Sequence, residues 1–283
     1  MKKLIIFGVG LMGGSLALAL KRCAPAPHII GFGRGDLNLA LQRGAIDVVG
    51  GDIATALVDA DGVILAMPVA QTHAVLQSLA PYLHAHTVVS DVGSTKTDVL
   101  AAAQATLGDK IGQFVGAHPV AGAEKSGVAA ADASLFEGKN VILTPSAHTD
   151  PSTTQAIQGL WEACGAKVRT LSAEAHDAIF AAVSHLPQLA AFAFMHQLSQ
   201  RNNRDTLLQF AASGFRDFTR IAASSPEMWR DISLANRSAL LSELGAYRDA
   251  LNQLIHLLET QDSATLLAVF ETASQLRKNW TPP

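Results

Sequence analysis

Residues 5–20 read IIFGVGLMGGSLALAL, and the fold follows from how this stretch is parsed. A short apolar run ends at Gly8, an apolar helical pattern begins at Leu11, and Gly8, Gly10 and Gly13 stand between them as G-x-G-x-x-G. In a strand–turn–helix setting the first glycine makes the turn, the second lets a ligand approach the backbone, and the third lets the helix lie on the strand. Unpaired N–H groups at the helix start then offer a seat for a pyrophosphate. The bland alternative is a tight turn in an α/β sheet. Here the motif follows a strand and starts a helix, the context expected of a dinucleotide-binding crossover. With Lys2 and Lys3 ahead of it, the stretch also looks like a secretory signal, but glycines at 8, 10, 13 and 14 interrupt the apolar run. No other segment is expected to be apolar and long enough to span a bilayer.

Further strand candidates are 28–33, 62–66, 87–91, 114–117, 141–144 and 167–171, with helical stretches at 72–83, 96–107 and 153–164. Strands alternating with helices imply crossover units and a mostly parallel sheet. After Ser172 the strand signal stops and nearly everything is helical. The expected fold is therefore an α/β Rossmann-type N-terminal domain with a mostly parallel sheet, residues 1–171, followed by an all-α C-terminal domain, residues 172–283. Leu240, Leu244, Tyr247, Leu251, Leu254 and Leu258 repeat at spacings of four and three, a seam that packs against another helix. It reads either as a subunit contact or as packing within one bundle, and a homodimer is the expectation preferred.

Composition narrows the function. A chain of 283 residues, 49% hydrophobic and 16% charged, with formal charge −3 and pI near 6.3, carries no field for a polyanion. Neither nucleic acid nor an anionic membrane is an expected partner. The two cysteines, Cys23 and Cys164, suit neither a disulfide framework nor a zinc site, so no metal is expected and a reducing cytoplasm fits.

Four constellations carry chemistry. Around the glycine turn, cofactor contacts are expected from Gly8, Gly10, Leu11, Met12 and Gly13, with Met67, Pro68 and Gly93 on neighbouring loops. At the end of the second strand, Gly33 stands where an acid would bind the adenosine ribose, and Arg34 follows it. That pair accepts a 2′-phosphate, so NADP is favoured over NAD, although Asp36 as a ribose acid and Arg34 as a plain surface residue stay open. The segment VVSDVGSTKTDVL puts Asp91, Gly93, Ser94 and Lys96 near the nicotinamide end, unless Ser94 or Thr95 simply caps the next helix. In GAHPVAGAEKSG, His118 lies between Ala117 and Pro119, which reads as a loop beyond a strand's carboxyl end. An imidazole takes a proton near neutrality, as oxidation of an alcohol requires. In the helical half, His185 and Gln188 flank Pro187, and Arg216 and Arg220 sit a helical turn apart; an arginine fork suits a carboxylate, or Arg220 pairs internally with Asp217 or Glu227.

GVGLMGGS, DVGSTK, GAHPVAGAEKSG, SHLPQ and GFRDFTRIAASSPEMWRD, in this order over nearly the whole chain, closely resemble the prephenate/arogenate (cyclohexadienyl) dehydrogenases of tyrosine biosynthesis. The resemblance implies a Rossmann domain, a helical dimerisation domain, and oxidation of a 4-hydroxycyclohexadiene carboxylate with loss of CO₂. Carried onto matching positions, it implies that His118 accepts the hydroxyl proton, Ser94 orients that hydroxyl and Arg220 holds a carboxylate. It places Glu124, Gly214 and Trp229 close to substrate and entrance. Ala123 and Gln188 depart from the family pattern. Where prephenate-preferring members tend to have a second histidine, Gln188 offers an ammonium a carbonyl oxygen, which favours arogenate, alone or together with prephenate. Tyrosine, sharing the shape of the substrate, is a candidate inhibitor. A β-hydroxyacid-type dehydrogenase would need a lysine in the helical half, and none lies between Lys167 and Lys278. A catalytically silent nicotinamide-binding module would bind cofactor without turnover.

Overall fold

The structure, a computed structural model, describes residues 1–122 and 125–281. Its strands are β1 (Lys3–Phe7), β2 (His28–Phe32), β3 (Val48–Val49), β4 (Gly62–Leu65), β5 (Val88–Asp91), β6 (Phe114–Pro119), β7 (Asn140–Thr144) and β8 (Lys167–Thr170). They form one sheet in the order β3-β2-β1-β4-β5-β6-β7-β8. Pairing is parallel except between β6 and β7. The order reverses beside β1, whose neighbours β2 and β4 lie on opposite sides, and this opens a crevice at the strands' carboxyl ends.

The period-two alternation of β1 decides which helices cover which face. Leu4 and Ile6 pack with Leu16 and Leu20 of α1 (Leu11–Lys21) and, beyond α2 (Leu37–Gln42), α3 (Ile53–Leu57), α4 (Thr72–Leu79) and α5 (Thr97–Leu107), with Ile157 and Trp161 of α6 (Pro151–Ala163). Ile5 and Phe7 pack on the other face with Leu76 and Leu79 of α4 and Val99 and Ala103 of α5. Each fully buried aliphatic side chain of this kind stabilises the fold by about 1.5–3 kcal/mol. The short elements β3, α2 and α3 are ones that the sequence reading omits; each has six residues or fewer, too few for a periodic pattern to show.

Helices continue as α7 (Ala173–Phe180), α8 (Leu186–Ser199), α9 (Arg204–Gln209), α10 (Ser213–Thr219), α11 (Pro226–Ala235), α12 (Arg237–Glu259) and α13 (Ser263–Asn279). The chain forms two compact units, Met1–Arg237 and Ser238–Pro283. The second consists of α13 and nearly all of α12, with Asp262 capping α13 by accepting from the Thr265 N–H at 3.1 Å. Along the α12 seam Leu240 is buried, whereas Tyr247, Leu251 and Leu258 are exposed.

Two segments differ from their sequence-based expectation. His118 is a strand residue: β6 runs on past its parallel pairing with β5, which ends at Val115, and His118 pairs with Ile142 of the antiparallel β7. A proline next to it is tolerated because extended geometry is what Pro119 demands. The continuous helical run Ala173–Ser199 is, by length and mean hydropathy (1.6), long and apolar enough to cross a membrane, contrary to the reading that no further segment is. Its apolar character coexists with His176, Asp177, His185 and Gln188, all buried and hydrogen-bonded within the protein.

Candidate active site

The rim at the crevice is built from backbone first. Gly8 has φ +95°, and a Cβ there would lie 2.5 Å from the Ala66 carbonyl carbon and oxygen, so the chain leaving β1 runs against the chain leaving β4. A Cβ on Gly13 would sit 2.2 Å from the Gly8 oxygen, which is why α1 can start so close to the turn. Gly10 differs: nothing lies within 4 Å of where its Cβ would be, and φ is −97°. Neither a contact among the described residues nor a positive φ calls for glycine at this position, whereas a ligand lying against the backbone would. No side chain caps α1 and its first turn holds no acid, so its leading N–H groups and positive dipole end remain available to an anion. Leu11 and Met12 begin that helix; Met67 is half-buried and Pro68 exposed, just beyond β4. These residues fit a dinucleotide.

Beyond β2, Arg34 is exposed next to Gly33. Asp36 is engaged elsewhere: its carboxylate caps α2, accepting from the Leu39 N–H at 2.9 Å. The alternative of Asp36 as a ribose acid therefore competes with a local cap.

The loop after β5 is anchored from beneath. Asp91 accepts from the Gly93 N–H at 2.7 Å and from the Ala117 N–H at 3.0 Å, and forms a buried ion pair with Lys96. Asp91 and Lys96, expected near the ligand, are thus turned inward, where they tie the Ser94 loop to the end of β6. Gly93 is required here, because a Cβ would meet Val69 Cγ1 at 2.7 Å and Asp91 Oδ2 at 2.8 Å. Ser94 is half-buried, and no hydrogen bond joins its hydroxyl to protein among the described residues. Neither Ser94 nor Thr95 caps α5. Asp177 does so from α7, its Oδ1 accepting from Lys96 N and its Oδ2 from Thr97 N, each at 2.9 Å.

His118 is 8% exposed and enclosed by α7. Its Nδ1 lies 2.8 Å from Nε2 of His176, whose Nδ1 lies 2.8 Å from Oδ1 of Asp177. Phe180 closes the cluster, with ring centroids 4.6 Å from His118 and 4.4 Å from His176. Burial, followed by His176, Lys96 and His185 nearby, pushes the His118 pKa well below 6.5, so the ring is neutral at physiological pH. Burial raises the Asp177 pKa, but hydrogen bonds from His176, Thr97 and Lys96 outweigh it and hold the carboxyl below its ordinary value.

Sequence reasoning missed His176, Asp177 and Asn236, although a signal for the first two exists. Ala173, His176, Asp177 and Phe180 fall at i, i+3, i+4 and i+7, one buried helix face, with Ser172 as N-cap. A π-turn, Ala181–His185, then adds a residue before Pro187 and turns His185 inward. His185 Nδ1 lies 3.1 Å from Asn236 Nδ2, which also donates to the Asp177 carbonyl at 2.8 Å. Burial, partly opposed by Asp177, lowers the His185 pKa to about 4.

Gln188 is buried and donates its Nε2 to the Ile221 carbonyl at 2.6 Å and to Ser224 Oγ at 3.3 Å. This fixes the amide's orientation and leaves Oε1 without a hydrogen bond among the described residues. Arg220 begins the short turn that contains Ile221 and is exposed, as are Arg216 and Gly214 on α10. Arg216 pairs with Asp217 at 3.5 Å. Trp229 of α11 stands 5.9 Å from His185, and its buried Nε1 has no partner among the described residues. Glu124 and Ala123 lie outside the described residues. No group of three metal-ligating side chains occurs among the described residues.

Residues 16–170 match the family described as "Prephenate dehydrogenase, nucleotide-binding domain", and residues 172–272 match "Prephenate dehydrogenase, dimerization domain". A prephenate dehydrogenase of Bacillus subtilis is 39% identical over 97% of this chain and 75% of its own length. A cyclohexadienyl dehydrogenase of Zymomonas mobilis is 36% identical over 98% of this chain and 95% of its own. Among solved structures, the prephenate dehydrogenase of A. aeolicus in complex with hydroxyphenyl propionate and NAD+ superposes with a TM-score of 0.92 at 35% identity, covering 98% of each chain.

Proposed function

Because the chain belongs to the prephenate dehydrogenase family, we propose that it carries out the nicotinamide-dependent oxidative decarboxylation of arogenate, prephenate or both, with arogenate and NADP preferred. The observation that carries this reading is a neutral, buried imidazole, His118, at the carboxyl-end rim of a sheet whose glycine turn fits a dinucleotide. Bound nicotinamide supplies the hydride acceptor. His118 takes the hydroxyl proton as the substrate is oxidised, which relieves developing positive charge, and loss of CO₂ leaves an aromatic ring. General-base catalysis of this kind contributes about 10²- to 10⁴-fold. Ser94 Oγ, without a hydrogen bond to protein among the described residues, orients the hydroxyl.

Arg220 meets a substrate carboxylate, and Gln188 Oε1 accepts from an ammonium, which supports the preference for arogenate. The Trp229 N–H, without a partner among the described residues, together with His185, Gly214 and Glu124, completes the substrate side of the proposal, and tyrosine competes for the same space. Leu11, Met12, Met67, Pro68 and Gly93 join the three glycines in holding the cofactor. Arg34 beside Gly33 supports NADP, since a guanidinium attracts a 2′-phosphate and the nearby Asp36 carboxylate is engaged in capping α2. Division at residues 171/172 and a homodimer through the helical region belong to the same reading. So does a cytoplasmic setting, which rests on two free thiols, Cys23 and Cys164.

The test is a matrix of both substrates against both nicotinamides, followed through reduced-nicotinamide absorbance, on wild type and His118→Asn. Expected are a higher kcat/KM for arogenate with NADP and a kcat loss of about 10²-fold or more in the variant, with cofactor affinity retained. Wild-type-like kcat in His118→Asn refutes the role of His118; a strong prephenate preference refutes that of Gln188.

A further inference from the structure

We propose that one buried network, built on Asp177 and Asn236, sets His118 and His185 in opposite tautomers: His118 with a bare Nε2, His185 with its proton on Nε2. The first arm starts from a group that can only accept. The Asp177 carboxylate receives Lys96 N and Thr97 N at the N-terminus of α5, where the helix dipole stabilises its charge. Its contact with His176 Nδ1 at 2.8 Å therefore requires a proton on that nitrogen. His176 then presents the lone pair of Nε2 to His118 Nδ1, again at 2.8 Å, and His118 must donate. The proton of His118 is spent on Nδ1, and Nε2 is left to take another.

The second arm runs through the same residue's backbone. The Asp177 carbonyl accepts one hydrogen of the Asn236 amide at 2.8 Å, which fixes which end of that side chain is nitrogen. The second hydrogen meets His185 Nδ1 at 3.1 Å, so Nδ1 is the acceptor and Nε2 carries the proton. One ring is thereby set as a base and the other as a donor, by residues that are positioning groups rather than catalytic ones. The chemical use of the two rings rests on the dehydrogenase reading; their tautomers do not, so the two ideas fail separately.

The experiment uses the full chain with ¹⁵N-labelled histidine and long-range ¹H–¹⁵N correlation spectra, His118→Gln and His185→Gln giving the assignments. The expected result is a protonated Nδ1 on His118 and a protonated Nε2 on His185. In Asn236→Leu the His185 proton should distribute over both nitrogens while the His118 pattern persists. Kinetics supply an independent readout. His176→Gln keeps an oxygen where Nε2 stood and can still accept from His118, whereas His176→Leu cannot, so kcat should fall at least about tenfold further in the leucine variant, with KM and cofactor affinity similar in the two. Asp177→Asn should lower kcat by about 10²-fold or more, by analogy with the loss seen when the orienting carboxylate of a serine-protease triad is replaced. A wild-type His118 protonated on Nε2, an unaltered His185 spectrum in Asn236→Leu, or, where wild type turns over either substrate, equal kcat in the two His176 variants would each overturn the proposal. Correct tautomers in a protein that turns over neither substrate would leave it standing and sink the proposed reaction instead.

Discussion

Replacing Lys96 by methionine keeps much of the side-chain volume and deletes the charge that Asp91 faces. The two side chains are 0% and 3% exposed, and Asp91 otherwise receives only the backbone N–H groups of Gly93 and Ala117 among the described residues. Breaking a buried pair by removing one member leaves an uncompensated charge and costs about 3–5 kcal/mol. For a chain of this size, with a urea slope of about 2–3 kcal/mol/M, the unfolding midpoint should drop by roughly 1–2 M. The paired change Lys96→Met with Asp91→Asn removes both charges and keeps an oxygen for one of the two N–H groups, so it should recover about half of that loss or more. Activity offers a second assay. Asp91 holds the N–H of Ala117, the residue before His118, so kcat of the folded single variant should fall as well. Denaturation that puts Lys96→Met within about 1 kcal/mol of wild type, or the double variant no better than the single, would refute the reasoning.

The glycines of the turn should separate into two kinds. Gly13→Ala forces a Cβ to 2.2 Å from the Gly8 oxygen and should cost about 3 kcal/mol in urea melts; Gly10→Ala meets open space and should leave stability within about 0.5 kcal/mol while weakening dinucleotide binding in a calorimetric titration. His185 couples stability to pH: its folded pKa of about 4 lies below its unbound value of 6.5, so its neutral form contributes fully above 6.5 and the contribution disappears as pH falls toward 4. Between those limits wild type should lose about 3 kcal/mol that His185→Gln does not, a difference read from paired denaturation curves. Leu251→Glu, at an exposed position of the α12 seam, should convert the proposed dimer to monomer in sedimentation; an unchanged mass would place the contact elsewhere.

Several elements were legible because their signals are local. The glycine turn, the period-two strand β1 and the apolar face of α1 each lie within a few residues of one another, so the order of strands and helices follows from spacing alone. His118 stood out for its small neighbours, yet its setting did not: whether β6 continues through Pro119 depends on β7, a separate segment that supplies the antiparallel pairing. The same limit hid the residues that hold His118 in place. His118 and His176 are 58 positions apart, Asp177 and the N–H groups of α5 about 80, and Asp177 and Asn236 are 59 apart. A hydrogen bond across such a distance leaves no periodic trace.

The fold class, the dinucleotide turn and the chemistry-bearing residue types follow from spacing within short segments, because backbone conformation and side-chain periodicity are dictated by near neighbours. Tertiary contacts, by contrast, turn Asp91 and Lys96 inward, put Asp177 rather than Ser94 on the N-terminus of α5, and select the partner of each buried histidine Nδ1. Those outcomes depend on which buried donors and acceptors meet, and burial makes each pairing obligatory once the chain has closed around it.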